Sequence, residues 1–246
     1  TEMILVALQS VRANLFRAFL TMLGIIIGVA SVITMIAIGS GARAAVDEQI
    51  DALGASVLSV RAGSFMQMGV ARSAATLTID DATAIARDTP SVRAVVPEIG
   101  GQQQIKNGNR NENLRVVGVS ANFAEVLGHE LAAGRLFSNA DDASRRTVAV
   151  LGSGVPAKLG SSSGAIVGQT VYIKGLAFEV VGVLAEKGAS GFRNVDEQIW
   201  IPFYTARYRV YGTAQVDTIS AQMAAGVSVE RAIVEIERVM RRQHQI

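Results

Sequence analysis

The sequence predicts an α+β protein in which one N-terminal transmembrane helix precedes a two-part extracytoplasmic domain. Three observations carry this reading. Residues 18–42, AFLTMLGIIIGVASVITMIAIGSGA, contain no Asp, Glu, Lys or Arg between Arg17 and Arg43. From residue 55 onward short apolar runs alternate in the order β-α-β-β, the pattern of an α+β domain. Residues 228–243 then close the chain with a helical period behind Ser228, an N-cap residue type.

The charge-free run reaches about 37 Å as a helix, enough to cross a hydrocarbon core of about 30 Å with some tilt. Its polar interruptions, Thr21, Ser31, Thr34 and Ser40, can bond back to helix carbonyls. A soluble core helix would show a polar stripe or a shorter apolar run. A signal peptide would carry an apolar core of about 7–15 residues, shorter than this one, although Ala42-Arg43-Ala44 has cleavage-like spacing. The span is therefore placed at 17–41 and retained as an anchor. Arg12 and Arg17 before it, opposed only by Glu2, against Arg43, Asp47, Glu48 and Asp51 after it, put the N-terminus in the cytoplasm and the residues after about 42 outside. Thr21, Gly24, Gly28 and Ser31 share one face. Small residues at this spacing let helix backbones approach closely in lipid, so this face predicts a partner helix.

With an apolar fraction of 50% and 18% charged residues, the chain lies well above the disorder range and can bury a core. A formal charge of +2 without any Lys/Arg block gives nucleic acid binding little support. The lack of Cys removes disulfides, thiolate metal sites and a cysteine nucleophile.

Residues 1–16 place Ile4, Leu5, Leu8, Val11 and Leu15 on one helical face. This fits an amphipathic helix in the cytoplasmic interface or an extension of the span. Beyond the span, Ala42, Val46, Ile50 and Leu53 continue at helical spacing, a stalk over 42–54 that stops at Gly54. A strand follows at 55–62, and 63–76 reads as a loop with exposed apolar residues. Thr78 to Asp81 reads as a capping box that starts a helix through Arg87, with Pro90 beyond its end. Strands are expected at 92–97 and 99–106, then an Asn/Gly-rich turn and a strand at 114–119. Further strands are expected at 147–151, 170–174, 177–184, 198–201 and 216–223, with short helices near 121–127, 154–159 and 203–208. The last helix would bury Val229, Ile233, Ile236 and Met240.

Candidates for chemistry are few. Gly164 to Thr170 lacks the lysine of a phosphate loop and runs into a strand, so Gly168-Gln169 reads as a turn. His129 and His244 are far apart and in no metal-ligand spacing. Gly152-Ser153-Gly154 lacks the frame of a nucleophile elbow. Asp80-Asp81 fits a helix start, and Asp141-Asp142 fits a solvated loop or another cap. No catalytic, cofactor or metal residue is assigned.

Several segments together resemble one family. They are RAFLTMLGIIIGVASVITMIAIGSGA in the span, LTIDDATAI at 77–85, LAAGRLFSNAD at 131–141, VAVLG at 148–152, VGQTVYIKGLAFEVVGVL at 167–184 and the Ile201-Pro202 pair. In this order they resemble the MacB-like permeases of ABC transporters, within the wider FtsX-type superfamily. The resemblance implies four membrane helices in a full permease, with a large outer domain between the first and second. It also implies a porter-like part at 55–118 plus 215–246 and an inserted, mostly β, sabre-like part at 119–214. Its expected partners are an ABC ATPase domain or subunit, a second permease copy, a periplasmic adaptor and membrane lipid. Its expected role is export of drugs, peptides or siderophores from the bacterial inner membrane, with ATP hydrolysis in a separate domain. The later spans of such a permease are not in this sequence, which therefore reads as a fragment of one. Two other functions compete: an FtsX-type or lipoprotein-export-type regulator acting through its outer domain, and an anchored enzyme. The large insert and the run from Ala133 to Leu184 favour the exporter.

Overall fold

The computed structural model describes residues 15–52, 57–61, 66–67, 70–71, 76–190 and 193–245. The chain divides into two compact units, Thr1–Leu53 and Gly54–Ile246. In the first, helix α1 (Leu15–Ala52) runs without a break for 38 residues. The expected interfacial helix falls almost wholly at positions 1–14, outside the described residues.

The second unit begins with β1 (Val57–Arg61), the short paired strands β2 (Met66–Gln67) and β3 (Val70–Ala71), and β4 (Leu77–Thr78). Helix α2 (Ile79–Asp88) starts with the expected box. The Thr78 hydroxyl accepts from the Asp81 N–H, and Asp81 accepts from the Thr78 N–H at 2.8 Å. This satisfies two donors that the helix cannot. Then come β5 (Val92–Asn107), β6 (Arg110–Val119), α3 (Phe123–Leu127) and β7 (Leu131–Gly134). Next are α4 (Asn139–Ala143), β8 (Val148–Leu151), α5 (Val155–Lys158), α6 (Ser163–Ile166), β9 (Thr170–Ile173) and β10 (Leu176–Leu184). The short pair β11 (Ala189–Ser190) and β12 (Arg193–Asn194) leads to β13 (Gln198–Pro202) and α7 (Phe203–Thr205), which continues as a π-helical stretch to Tyr211. The chain closes with β14 (Gln215–Val216), β15 (Thr218–Met223) and α8 (Val229–His244).

Among the described residues nine strands form one sheet, ordered β1-β15-β5-β6-β13-β8-β10-β7, with β9 bridging β10 and β5. Because β9 pairs with both, the ladder returns on itself through β5, β6, β13, β8, β10 and β9. The central strands bury both faces. Val116, Ala149, Leu151, Val180, Ile199 and Ile201 enter one core, with Ile105 and Phe178. Their neighbours Val117, Val148, Val150, Val181 and Trp200 enter a second, with Phe123 and Phe137. The two-residue period sends successive side chains to opposite faces, so a strand buried on both reads as a continuous apolar run.

Two expectations need correction. The strands expected at 92–97 and 99–106 are one strand, whose register against β6 runs unbroken from Glu98 to Asn107. The Gly100-Gly101 pair does not end it. A Cβ on Gly101 would sit 3.5 Å from the Tyr211 ring, whose hydroxyl donates to the Val116 carbonyl at 2.7 Å. In α8 the buried residues are Ala232, Ile236 and Val239, while Val229 and Ile233 are exposed. Of the two settings open to Asp141-Asp142, a solvated loop or a helix cap, the structure shows the cap. Both residues lie in the first turn of α4 and are buried.

Candidate functional site

The helix α1 carries the first set of expected residues. Thr21, Gly24, Gly28 and Ser31 are exposed on it at the spacing of one face. A Cβ added at Gly24 or Gly28 would meet nothing within 4 Å. The Thr21 hydroxyl donates to the Arg17 carbonyl at 2.9 Å, Ser31 to Ile27 and Thr34 to Ala30 at 2.7 Å, and Ser40 to Ala37 at 3.1 Å. Every hydroxyl interruption is thereby satisfied within the helix, which lets an apolar medium surround it. Phe19–Gly41 has a mean hydropathy of 2.4, and its side chains are exposed. Among the described residues it is the one helix long and apolar enough to cross a membrane. Ala42, Val46 and Ile50 fall in the same unbroken helix, whereas Leu53 and Gly54 lie outside the described residues.

In the second unit the cap open to Asp141-Asp142 in the sequence is found, together with a role for Asp142 that the sequence did not single out. Asp141 caps α4: its Oδ2 accepts from the Ser138 N–H at 2.9 Å and from Arg135 at 3.0 Å, and its Oδ1 from Arg146 at 3.1 Å. Burial would raise its pKa, but the Ser138 bonds and the Arg135 guanidinium outweigh burial and hold it at about 2. Asp142 serves a different helix. Pro202 precedes α7 and has no side chain to cap it, and Asp142 Oδ1 accepts the Tyr204 N–H at 2.8 Å instead. Burial raises this carboxyl, with the Tyr204 bond opposing. Asp142 also borders a groove of about 440 Å³ lined by Ala82 and Ala86 of α2, Val95 and Pro97 of β5, and Phe203 and Tyr204.

The two histidines stay apart in role. His129 packs on Trp200 with ring centres 5.1 Å apart, and Trp200 and Phe137 flank Phe123 at 6.0 and 5.2 Å. Burial and the neighbouring Lys187 charge push its pKa down to about 4, so at neutral pH it is an uncharged ring in an aromatic cluster. His244 Nε2 lies 3.2 Å from Asp81 Oδ1, where the end of α8 meets the start of α2. Among the described residues no group of three His, Cys, Asp or Glu side chains is placed to hold a metal ion. Gly152 is required by close packing, since a Cβ there would sit 2.4 Å from the Asp196 carbonyl oxygen. Gly168, at φ +83°, makes the expected turn into β9.

These features define a class: a mixed α/β domain carried behind a membrane-type helix. Its fold is that of the periplasmic region of MacB from Actinobacillus actinomycetemcomitans, with a TM-score of 0.68 at 19% identity, over 80% of this chain and 88% of that one. The chain belongs to the MacB-like periplasmic core domain family, which matches residues 18–239. It is 33% identical to the macrolide export ATP-binding/permease protein MacB of Bdellovibrio bacteriovorus, over 97% of this chain and 37% of that protein. It is 36% identical to the pyoverdine export ATP-binding/permease protein PvdT of Pseudomonas entomophila, over 94% of this chain and 35% of that protein. The chain thus spans about a third of the length of the curated relatives it matches. The resemblance of its motifs to the MacB-like family is borne out.

Proposed function

We propose that this chain supplies the first membrane helix and outer core domain of a MacB-like export permease, in which it transmits movement from an ABC ATPase across the membrane. The observation that carries the reading is the continuity of α1. At about 1.5 Å per residue its 38 residues reach about 57 Å, and the span-length segment uses about 34 Å of that. The remaining turns, from Ala42 to Ala52, would project about 16 Å beyond the hydrocarbon as a stiff rod. A rod without proline can pass a shift at one end to the other, which coupling between two packed arrangements requires.

In this reading the N-terminus is cytoplasmic, the outer domain lies on the far side of the inner membrane, and a second copy packs through Thr21, Gly24, Gly28 and Ser31. An adaptor receives the cargo, a drug, peptide or siderophore. The porter-like part, 55–118 with 215–246, is supported by β1, β15, β5 and β6 standing side by side. The insert at 119–214 shares their sheet through the parallel pairing of β13 with β6. Inserting two glycines after Val46 in the complete permease breaks the rod while leaving both ends folded. Transport by the reconstituted permease and ATPase then falls while basal ATP hydrolysis persists. Survival of transport together with stimulated hydrolysis overturns the reading.

A further inference from the structure

A group of arginines gathers on the outer domain around two tyrosines, and nothing in the fold explains it. Tyr204 and Tyr208 stack at 6.4 Å with planes 16° apart, and both are exposed. The guanidinium carbon of Arg145 stands 4.2 Å from the Tyr208 ring centre, and that of Arg207 stands 5.2 Å from it. Arg145, Arg146 and Arg209 line one polar groove of about 450 Å³ beside the hydroxyl residues Ser144, Thr147 and Thr170. The acids nearby are already engaged or too few. Asp141 is held by Arg135 and Arg146, and Glu179 stands 3.7 Å from Arg146. Among the described residues no carboxylate lies within 4 Å of Arg145, Arg207 or Arg209.

The backbone is bent to make this arrangement. Arg145 follows α4 with φ +51°, a left-handed conformation that glycine adopts freely and an arginine does not. Its N–H donates to the Asp142 carbonyl at 3.0 Å, which holds the turn and sends the guanidinium to Tyr208. Tyr208 itself sits in the π-helical stretch after α7, and such irregular turns occur often at functional sites. Two cations converging on one ring repel each other, and an anion between them relieves that repulsion.

We infer that this Arg145–Tyr208–Arg207 face, with Arg209, docks an acidic segment of a protein partner through carboxylate–guanidinium pairs laid over the stacked tyrosines. Planar guanidinium forks match carboxylates in pairs, and Tyr and Arg are the residue types that most often anchor protein interfaces. The area is wider than one inorganic ion needs. The groove lining has little of the apolar surface that a lipid-inserting site presents, being arginine and hydroxyl side chains with Glu179, which is paired to Arg146, beside Val148 and Ala177. The inference does not rest on the transport reading, since it concerns recognition by this face alone.

The test uses the full chain in neutral detergent micelles and a short fluorescent Asp/Glu-rich peptide, read by anisotropy. Binding is expected to weaken with salt, and to fall about tenfold or more in the R145E/R207E/R209E variant and severalfold in Tyr208→Ser. A lysine-rich peptide of equal length should not bind. Circular dichroism melting should show that both variants keep the wild-type fold, since none of these positions is buried. R145G, which frees the backbone but removes the cation, should also weaken binding while the melting temperature holds or rises. No peptide binding, or binding that the folded triple variant retains, overturns the inference. So does equal competition by inorganic phosphate, or preferential binding to phosphatidylglycerol vesicles lost in the same variant, which would make the face a phosphate or membrane site.

Discussion

Along α1, Thr21, Ser31, Thr34 and Ser40 each bond to a carbonyl three or four residues back in the same helix. In the outer domain the polar groups reach much further. Asp217 accepts the Gly100 N–H, the Tyr211 hydroxyl donates to Val116 O, and the Lys174 ammonium donates to the Val210 carbonyl. The apolar side chains differ in the same sense. Ile25 and Ile33 of α1 are 67% and 61% exposed, whereas Phe123, Phe178 and Ile199 are at 0%. One region is built from local bonds and leaves its apolar surface for a surrounding medium. The other is built from distant pairings and keeps its apolar surface inside. Substitutions in the first should change what the helix associates with, and substitutions in the second should change whether the domain folds.

The largest expected effect is in the aromatic core. Phe123→Ala removes a ring packed between Phe137 and Trp200 and leaves a cavity, costing about 3–5 kcal/mol. Ile33→Ala on α1 should leave the outer domain's denaturant midpoint unchanged, because that side chain is exposed. Denaturation of the full chain in micelles, followed by Trp200 fluorescence, compares the two. Equal shifts would remove the contrast.

A second effect is smaller and depends on pH. His129 binds its proton near 6.5 when unfolded and at about 4 when folded. The unfolded state therefore takes up more protons between these values, so stability is full above about 6.5 and declines as pH falls toward 4. The loss should reach no more than about 2 kcal/mol, since the ring is partly open to solvent. His129→Gln should flatten that part of the profile, while acid loss below pH 4 remains. Asp141 contributes to that remainder, with its carboxyl held at about 2 and its stabilisation lost as pH falls from its unfolded value. A wild-type profile flat from pH 7 to 4 would mean that His129 is not held neutral by burial.

The same contrast decides what could be read from the residues. The α1 span, its hydroxyl bonds and the Thr78–Asp81 box depend on neighbours within four positions, and each was legible. The turn at Gly168 and the helix start at Ser228 were legible for the same reason. The face of α8 was not, because Val229-Ile233-Ile236-Met240 and Ala232-Ile236-Val239 share Ile236 and only tertiary packing selects between them. Strand β7 pairs with β10 at the end of the sheet, with Leu131 exposed, so its alternation is weak. The role of Asp142 could not appear in its own segment, since the helix it caps begins at Phe203. The Arg145–Tyr208 contact joins segments more than sixty residues apart and left no local trace beyond an arginine pair.

The last and smallest effect sharpens the comparison on the helix side. Gly24 and Gly28 lie one turn apart, and a Cβ at either meets only open space in the single chain. Replacing both by Leu therefore introduces no clash within the helix and improves its local propensity, so the helical content and the outer domain's melting should hold. What changes is the approach of a second helix. Small residues bring two backbones into van der Waals contact in lipid, where apolar burial gives no other drive, and two leucines would push them apart. Self-association through this face should therefore weaken severalfold. Donor- and acceptor-labelled chains co-reconstituted in bilayers report this as lost energy transfer, and Ile25→Leu on an adjacent face serves as the control. If the double substitution leaves the transfer efficiency at the wild-type level, the glycine face is not where the helix meets a partner.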